Sequence, residues 1–240
     1  MQFVERTVTI FGFQYRLCLC GRGERFAGRV ADWERCSQWM QKALKACAFG
    51  GDITPGAPTF AGPRIEIRLV DALGREWTGP AVGFDFRVPE CLGLRYQGAD
   101  DEMHTPLMLV RSTFGSIERF VAILVEHYAG RFPLWLAPEQ VRILPVAERH
   151  LNYAQTVCQR LVQEGIRATV DVRRENLGFR IHAFEEAKVP FVVVIGDREE
   201  SRRVLAVRQS LQEKQVNDVR LEEFLEQLRG ESQAPISEAR

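Results

Sequence analysis

Apolar and polar residues alternate from Glu5 to Phe11 and again from Gln14 to Cys20, with Gly12 between, and both runs predict short strands. From Val30 to Cys47 the spacing changes. Val30, Trp33, Met40, Leu44 and Cys47 recur at helical steps, which predicts a helix. The stretch GGDITPGAPTFAGP, residues 50–63, holds too many Gly and Pro residues for helix or strand to persist. Beyond it Ile65, Ile67 and Leu69 alternate with Arg64, Glu66 and Arg68, so RIEIRLVDALGREW predicts a hairpin arm turning at Leu73 and Gly74. Strand signal continues in AVGFDFRV and TPLMLVRS. After Gly115, Ile117, Phe120, Val121, Leu124, Val125 and Tyr128 fall on one helical side, and Gly130 is placed to end that helix. Together these elements predict an antiparallel sheet with helices packed on it, an α+β unit.

Around FPLWLAPEQ two prolines punctuate the chain and the pattern changes, which predicts a first domain over 1–135 and a second over 136–230. In the second, QVRILPV reads as a strand, Glu148 to Gln163 as a helix ended by Gly165, and IRATVDV as a strand. A short helix from Phe179 to Ala187, the strands PFVVVIG and VLAVRQS, and a helix from Asp218 to Arg229 follow. Strands alternating with helices predict a small, mostly parallel three-layer α/β domain. The polar residues 231–240 predict a flexible tail.

Composition narrows the class without changing this picture. With 45% hydrophobic and 27% charged residues in 240, the chain can bury real cores, and disordered, collagen-like and coiled-coil readings fall away. No run approaches the roughly 18 apolar residues that cross a bilayer, and the amino terminus carries charges where a signal peptide needs an apolar centre, so a cytoplasmic protein is expected. Lys and Arg number 32, as do Asp and Glu; up to residue 130 there are 15 of each sign, and 17 of each follow. That balance argues against a nucleic-acid binder working by bulk charge, so any grip on RNA has to be local. Cysteines 18, 20, 36, 47, 91 and 158 lie in apolar patterns and are expected as reduced thiols, Cys18 and Cys20 sharing one strand face. His104, His127, His150 and His182 are scattered without ligand spacing, which points to surface or helix-end roles.

The stretch GSIERFVAILVEHYAGRFPLWLAPEQVRILPV resembles the third signature motif of class II aminoacyl-tRNA synthetases running into the anticodon-binding domain, specifically that of the threonyl-tRNA synthetases. The likeness continues through DVRRENLGFRI and VPFVVVIGDREE, and upstream through PTFAGPRIEI and VGFDFRVPE, from about residue 5 to about residue 230. The implied fold is a partial class II antiparallel sheet with helices, followed by a three-layer α/β anticodon-binding domain. The family's first two motifs, which build the dimer interface and supply the arginine on the α-phosphate, precede the part that this chain resembles.

The resemblance also assigns residues. Of the third motif Gly115, Ser116, Glu118 and Arg119 remain, so Ser116, Glu118 and Arg119 are read as an ATP-binding remnant, with Arg119 on the terminal phosphates. On its residues alone Arg119 reads rather as a helix arginine paired with a nearby carboxylate, and only the motif around it brings the phosphate reading level. Family members hold zinc with one Cys and two His, and the position of one His is occupied here by Val110, so the zinc site is expected to be lost and no cofactor to be held, apart from an open question over ATP. Ala61, Thr78 and Gly83 stand where the family has a tyrosine and two glutamines lining its substrate pocket. Anticodon contacts map to Arg174, Glu199 and Arg208, and Arg180 enriches the same region with Arg173, Arg198, Arg202 and Arg203. The other reading of those arginines is a solvated face paired internally with Glu175, Glu185, Glu186, Glu199 and Glu200.

The expectation is therefore a threonyl-tRNA synthetase-like protein without catalytic activity that binds tRNA, threonine tRNA foremost, through residues 138–230. Two readings stand beside it. One is an interaction subunit, as a homodimer or paired with a synthetase or another partner; the other is a ligase fragment or re-purposed enzyme completed by a separate chain.

Overall fold

At the amino terminus the chain is helical where alternation predicts a strand. In the computed structural model, which describes residues 2–47, 53–210 and 215–235, Gln2–Ile10 forms α1. Val4 and Val8, one turn apart, are fully buried, and Thr7 Oγ1 donates to the Phe3 carbonyl at 2.8 Å. Over so short a run both periods fit the residues, and burial of positions 4 and 8 on one side decides for the helix. The expected strand β1 (Gln14–Cys20) and helix α2 (Val30–Ala46) follow, α2 burying Trp33, Cys36, Met40 and Leu44. The Gly/Pro-rich stretch, of which residues 50–52 lie outside the described residues, does contain a strand. It is β2 (Ile53–Pro55), parallel to β1.

The predicted hairpin is β3 (Arg64–Val70) and β4 (Glu76–Asp85). A short helix α3 (Arg87–Cys91), a small hairpin β5 (Tyr96–Gln97) and β6 (Met103–His104), the strand β7 (Met108–Ser112) and the helix α4 (Ile117–His127) complete this unit. Its main sheet runs β2-β1-β3-β4-β7, antiparallel apart from the β1/β2 pair. One face buries Leu17, Ile65, Ile67 and Leu69. Strand alternation turns Arg64, Glu66 and Arg68 to the other face, with Cys18, Cys20, Gly83 and Val110 at matching register. Helix α4 is rotated from the expected stripe: Phe120, Ile123 and Leu124 are buried, while Ile117, Val121 and Val125 are exposed. Aromatic packing fixes this rotation, because Phe120 sits against Phe11, Phe13 and Phe114 with ring centroids 4.8–5.8 Å away.

The turn between β3 and β4 is built on Asp71. Its buried carboxylate accepts from Trp77 Nε1, from Arg75 Nε and from the backbone N–H groups of Arg75 and Leu73. Those donors, Trp77 foremost, hold it well below its ordinary value of 3.8. A depressed pKa in the folded state means that this contribution is complete above the unfolded value and is lost as pH falls toward the folded one. Asp71→Asn is accordingly expected to lower the melting temperature at pH 7 and to flatten its fall below about pH 4; melts from pH 7 to 3 check this, and parallel curves for both proteins refute it.

The second unit contains β8 (Val141–Pro145), a 3-10 turn (Glu148–His150), α5 (Leu151–Gln163), β9 (Ala168–Val170), α6 (Leu177–Glu186), β10 (Phe191–Ile195), α7 (Asp197–Arg202), β11 (Leu205–Gln209), β12 (Val216–Val219) and α8 (Leu221–Glu231). Strand order is β12-β11-β10-β8-β9. The sheet is mixed, not mostly parallel: β9, β8 and β10 are parallel, whereas β11 and β12 are antiparallel. The reason is connection length, since a parallel return needs a crossover of a dozen or more residues and only residues 196–204 join β10 to β11. Three layers form as expected. Helices α5 and α8 bring Leu161, Phe224 and Leu228 against Ile143, Phe191 and Val193, while Phe184 of α6 covers Leu144 and Val192 on the opposite face.

The chain divides into compact units Met1–His127 and Tyr128–Arg240, where the pattern put the division after residue 135. Ala129 and Gly130, both at positive φ, follow the end of α4. Of the expected tail, Glu231 closes α8 and residues 236–240 lie outside the described residues. Among the described residues no helix is long and apolar enough to cross a membrane.

Candidate nucleic-acid interface

Parallel strands β9, β8 and β10 deliver three loops to one end of their sheet. The chain passes from β8 to β9 on one side and then to β10 on the other, so the order reverses at the carboxyl end of β8, where open α/β sheets form binding crevices. A cavity of about 250 Å³ lies there, walled by residues 145–148 after β8 and 171–175 after β9.

The four residues expected to meet RNA have different fates. Arg174 is exposed on the cavity wall, and its side chain has no hydrogen-bond or ion-pair partner among the described residues. Arg208 lies on β11 opposite Val192, on the sheet face covered by α6, and donates from Nη2 to Glu185 Oε1 at 2.6 Å. Glu199 is partly buried in α7, and its Oε2 accepts from the Gly196 N–H at 3.0 Å, closing the helix start.

Arg180 departs from the expectation. Its side chain is 5% exposed, with Nη1 donating to the Pro145 carbonyl at 2.9 Å and Nη2 to the Asp171 carbonyl at 2.6 Å. In this conformation it ties the two cavity walls together and is not open to an RNA contact. The neighbouring arginines are largely acid-paired. Arg173 forks onto Asp171 and reaches Glu175, Arg198 and Arg202 both reach Asp218, and Arg203 lies over the Tyr153 ring. Burial alone would push the Asp171 carboxyl up, yet Arg173 and Arg180 hold it below its ordinary value.

In the first unit, Ser116, Glu118 and Arg119 stand exposed at the start of α4. Ser116 Oγ donates to Glu118 Oε2 at 2.7 Å and accepts from the Arg119 N–H at 3.4 Å. The Arg119 guanidinium has no carboxylate partner among the described residues. Gly115, at φ 73°, makes the preceding turn, and a Cβ there would lie 2.9 Å from the Gly79 carbonyl oxygen.

The four positions that the resemblance assigns to substrate and zinc contacts lie just before β3, on β4 and on β7. Val110 and Gly83 are cross-strand partners, and neither side chain offers a metal ligand, so zinc does not fit this pair. A Cβ at position 83 would lie 2.5 Å from the Arg64 Cβ, which closes this site to any longer side chain. Thr78 faces Arg68, and Ala61 is engaged through its carbonyl, which accepts from the Phe86 N–H. Beside them Glu66 is buried between Arg64 and Arg68. Burial, followed by the charge of Glu66, pushes the Cys20 thiol up to about 11, so it is neutral and unreactive.

The histidines are less scattered than their spacing implied. His104 lies with Asp100 and Glu102 in an exposed group whose ligand atoms are within 4.8 Å of one another. His127 packs on Phe13, His182 is 3.7 Å from Glu186, and His150 is fully buried in the 3-10 turn. His150 is not the surface or helix-end residue that its spacing predicts, and Asp197 and Asp171 carry no signal of their own; the HxxY and GDxE spacings contain His150 and Asp197 but give no sign that they touch.

Residues 4–128 match the family of the tRNA synthetase class II core domain (G, H, P, S and T), and residues 140–231 match the anticodon binding domain. The threonine–tRNA ligase of Acetivibrio thermocellus is 42% identical over 228 residues, covering 95% of this chain and 36% of that protein. That of Syntrophotalea carbinolica is 42% identical over 208 residues, covering 87% and 33%. A crystal structure described as the RNA binding domain of threonyl-tRNA synthetase from Cryptosporidium parvum superposes with a TM-score of 0.82 at 25% identity, covering 98% of this chain and 59% of that one. The chain thus spans about a third of the length of the curated relatives it matches. With a core-domain match over more than half of its residues, followed in order by the anticodon-binding match, the chain belongs to the class II aminoacyl-tRNA synthetase family, beside the threonine–tRNA ligases.

Proposed function

We propose that this chain binds tRNA in the cytoplasm, threonine tRNA foremost, through residues 140–231, and that it does not itself activate threonine. The observation that carries the first part is Arg174: a cation without an acidic partner among the described residues, on the wall of a crevice at the ends of parallel strands, in a domain matching anticodon binding domains. Arg208 joins it by exchanging Glu185 for a phosphate or base edge, one acceptor for another. Glu199 offers its carboxylate as an acceptor for an unstacked base. Because charge in this half is balanced, affinity comes from these few contacts and its salt dependence is shallow, at about 0.7 logarithmic units of affinity per tenfold salt for each phosphate neutralised. In a gel shift with a threonine-tRNA transcript at about 50 mM salt, Arg174→Ala and Arg208→Ala are each expected to weaken binding about tenfold. No shift by the unaltered protein at that salt sinks the reading.

The second part rests on Val110 and Gly83, which leave no donor at the positions that the resemblance gives to a zinc ligand and a substrate-binding glutamine. Arg119, without a carboxylate partner among the described residues at the start of α4, supports a surviving contact with a nucleotide phosphate. An interaction role is the second reading, favoured by the outer edge of β7, where Leu109 is 64% and Val110 44% exposed, together with the apolar row Ile117, Val121 and Val125 on α4. Light scattering after size exclusion decides: a dimeric mass supports it, and a clean monomer at about 50 µM counts against self-association.

A further inference from the structure

His150 is fully buried in a turn whose neighbours Glu148 and Arg149 are exposed. Its Nδ1 accepts from the Ala147 N–H at 3.1 Å, so the ring hydrogen sits on Nε2, which donates to Asp197 Oδ1 at 3.0 Å. Ala147 lines the cavity after β8, and Asp197 opens α7 after β10, two residues before Glu199. On its outer side Asp197 accepts a fork from Arg149 Nε and Nη2 at 2.9 and 2.8 Å. Arg149 and then His150 hold that carboxylate well below its ordinary range. An imidazole buried with both nitrogens committed gains little over an apolar side chain in stability, since each bond replaces one to water. What it supplies is a fixed spacing between two loops. Arg180 supplies the corresponding tie between the loops after β8 and β9, so all three loops at this end of the sheet are joined through residues 145–150.

We propose that His150 is a positioning residue for RNA recognition: through Asp197 it latches the α7 turn, and with it Glu199, to the cavity wall that carries Ala147. The proposal rests on the tRNA-binding reading above. Unstacked nucleotides are read by groups on separate loops, and such groups act together only when their spacing is held to a fraction of an ångström. His150 touches no RNA in this scheme, and its effect passes through the geometry of Glu199.

The test measures affinity of the full chain for a threonine-tRNA transcript, in parallel with melting temperature, for His150→Ala, Asp197→Ala and the double variant. Asp197 has a side chain 74% exposed, so its alanine variant is expected to fold even if His150→Ala does not. Removing an acid and freeing Arg149 would by charge alone tighten RNA binding, so a loss has to come from geometry. Asp197→Ala is expected to weaken binding about tenfold and to lower the melting temperature modestly, because the buried His150 Nε2–H loses its acceptor, while the protein stays folded at the temperature of the binding assay; the double variant is expected to bind no more weakly than the worse single one. His150→Gln, which keeps a donor and an acceptor, is expected to recover part of the loss. Imidazole nitrogen shifts by NMR are expected to report the Nε2–H tautomer in the unaltered protein. Unchanged or tighter binding by Asp197→Ala, independent losses that add in the double variant, or the Nδ1–H tautomer overturns the proposal while the tRNA reading stands. Failure of the unaltered protein to bind tRNA overturns both.

Discussion

Arg180→Ala is expected to lower the melting transition of the second unit by about 10 °C or more, with no RNA in the sample. The side chain bridges two loops by donating to the Pro145 and Asp171 carbonyls, and its Nε lies 3.6 Å from the equally buried Asp171 carboxylate. Truncation leaves two buried carbonyl oxygens without donors and removes one of the two cations beside a desolvated acid, a loss of roughly 3 kcal/mol. Arg173 still forks onto Asp171, which keeps the effect short of complete unfolding. Arg180→Lys keeps the charge but not the two-pronged reach, and is expected to fall between. Calorimetry on the three proteins checks this. A melting point for Arg180→Ala within about 2 °C of the original would mean that the two carbonyls find other donors and that the bridge is dispensable.

Threonine-dependent pyrophosphate exchange is expected to be absent, with or without added zinc. Adenylate formation needs cations on the α-phosphate and an amino acid held in line with it, and enzymes that achieve this accelerate their reactions by at least about a millionfold. Here the position expected to ligate zinc carries Val110, position 83 is closed by the Arg64 side chain, and Ala61 has no hydroxyl. Replacing Val110 by His alone is expected to restore nothing, because its cross-strand neighbour is a glycine and one imidazole does not make a site. Robust exchange by the unaltered chain would overturn the inactive reading in favour of the ligase. Exchange that arises only when a second polypeptide is added would support completion in trans.

The elements read correctly from the sequence either show a period along the chain, as β1, α2, the β3 arm of the hairpin and α5 do, or are short apolar runs buried on both faces between turn signals, as β8 and β10 are. The misread or missed ones are short. Helix α1 has a Val-Thr alternation that fits a strand until burial of Val4 and Val8 settles it. Strand β2 is three residues inside a Gly/Pro-rich stretch and exists because β1 offers a free edge. The last helix begins three residues after its expected start because Asp218 belongs to β12. The orientation of α4 was not legible, since Val121 and Ile123 are equally apolar and only the aromatic cluster around Phe120 distinguishes their sides.

The candidate site divides in the same way. Motif order pointed to the loops after β9 and β10 and to the strand β11, and these do belong to the domain that matches anticodon binding. The sequence offered Glu175 and Glu185 as possible partners but not which arginine each would hold. Arg174, Arg180 and Arg208 are the same residue type in the same region, yet one has no partner among the described residues, one is spent on backbone carbonyls and one is held by Glu185. His150, read as a surface or helix-end residue, is among the most buried side chains in the unit.

By itself the sequence determined the two-part architecture, the order of its motifs and the family they belong to, because hydrophobic period and motif spacing are local properties written along the chain. It also carries Ala61, Thr78, Gly83 and Val110 at the positions that the resemblance gives to substrate and zinc contacts, and none of the four is a tyrosine, glutamine or histidine whatever the packing. Only the tertiary structure decided which charged groups are free to meet a ligand. Ion pairs and buried hydrogen bonds join residues far apart in sequence, 20 positions for Arg198 and Asp218, 23 for Glu185 and Arg208, and 47 for His150 and Asp197. Whether a given arginine reaches outward or inward depends on the residue that folding brings beside it, and that neighbour is set by strand order and helix rotation rather than by the arginine's own surroundings in the chain.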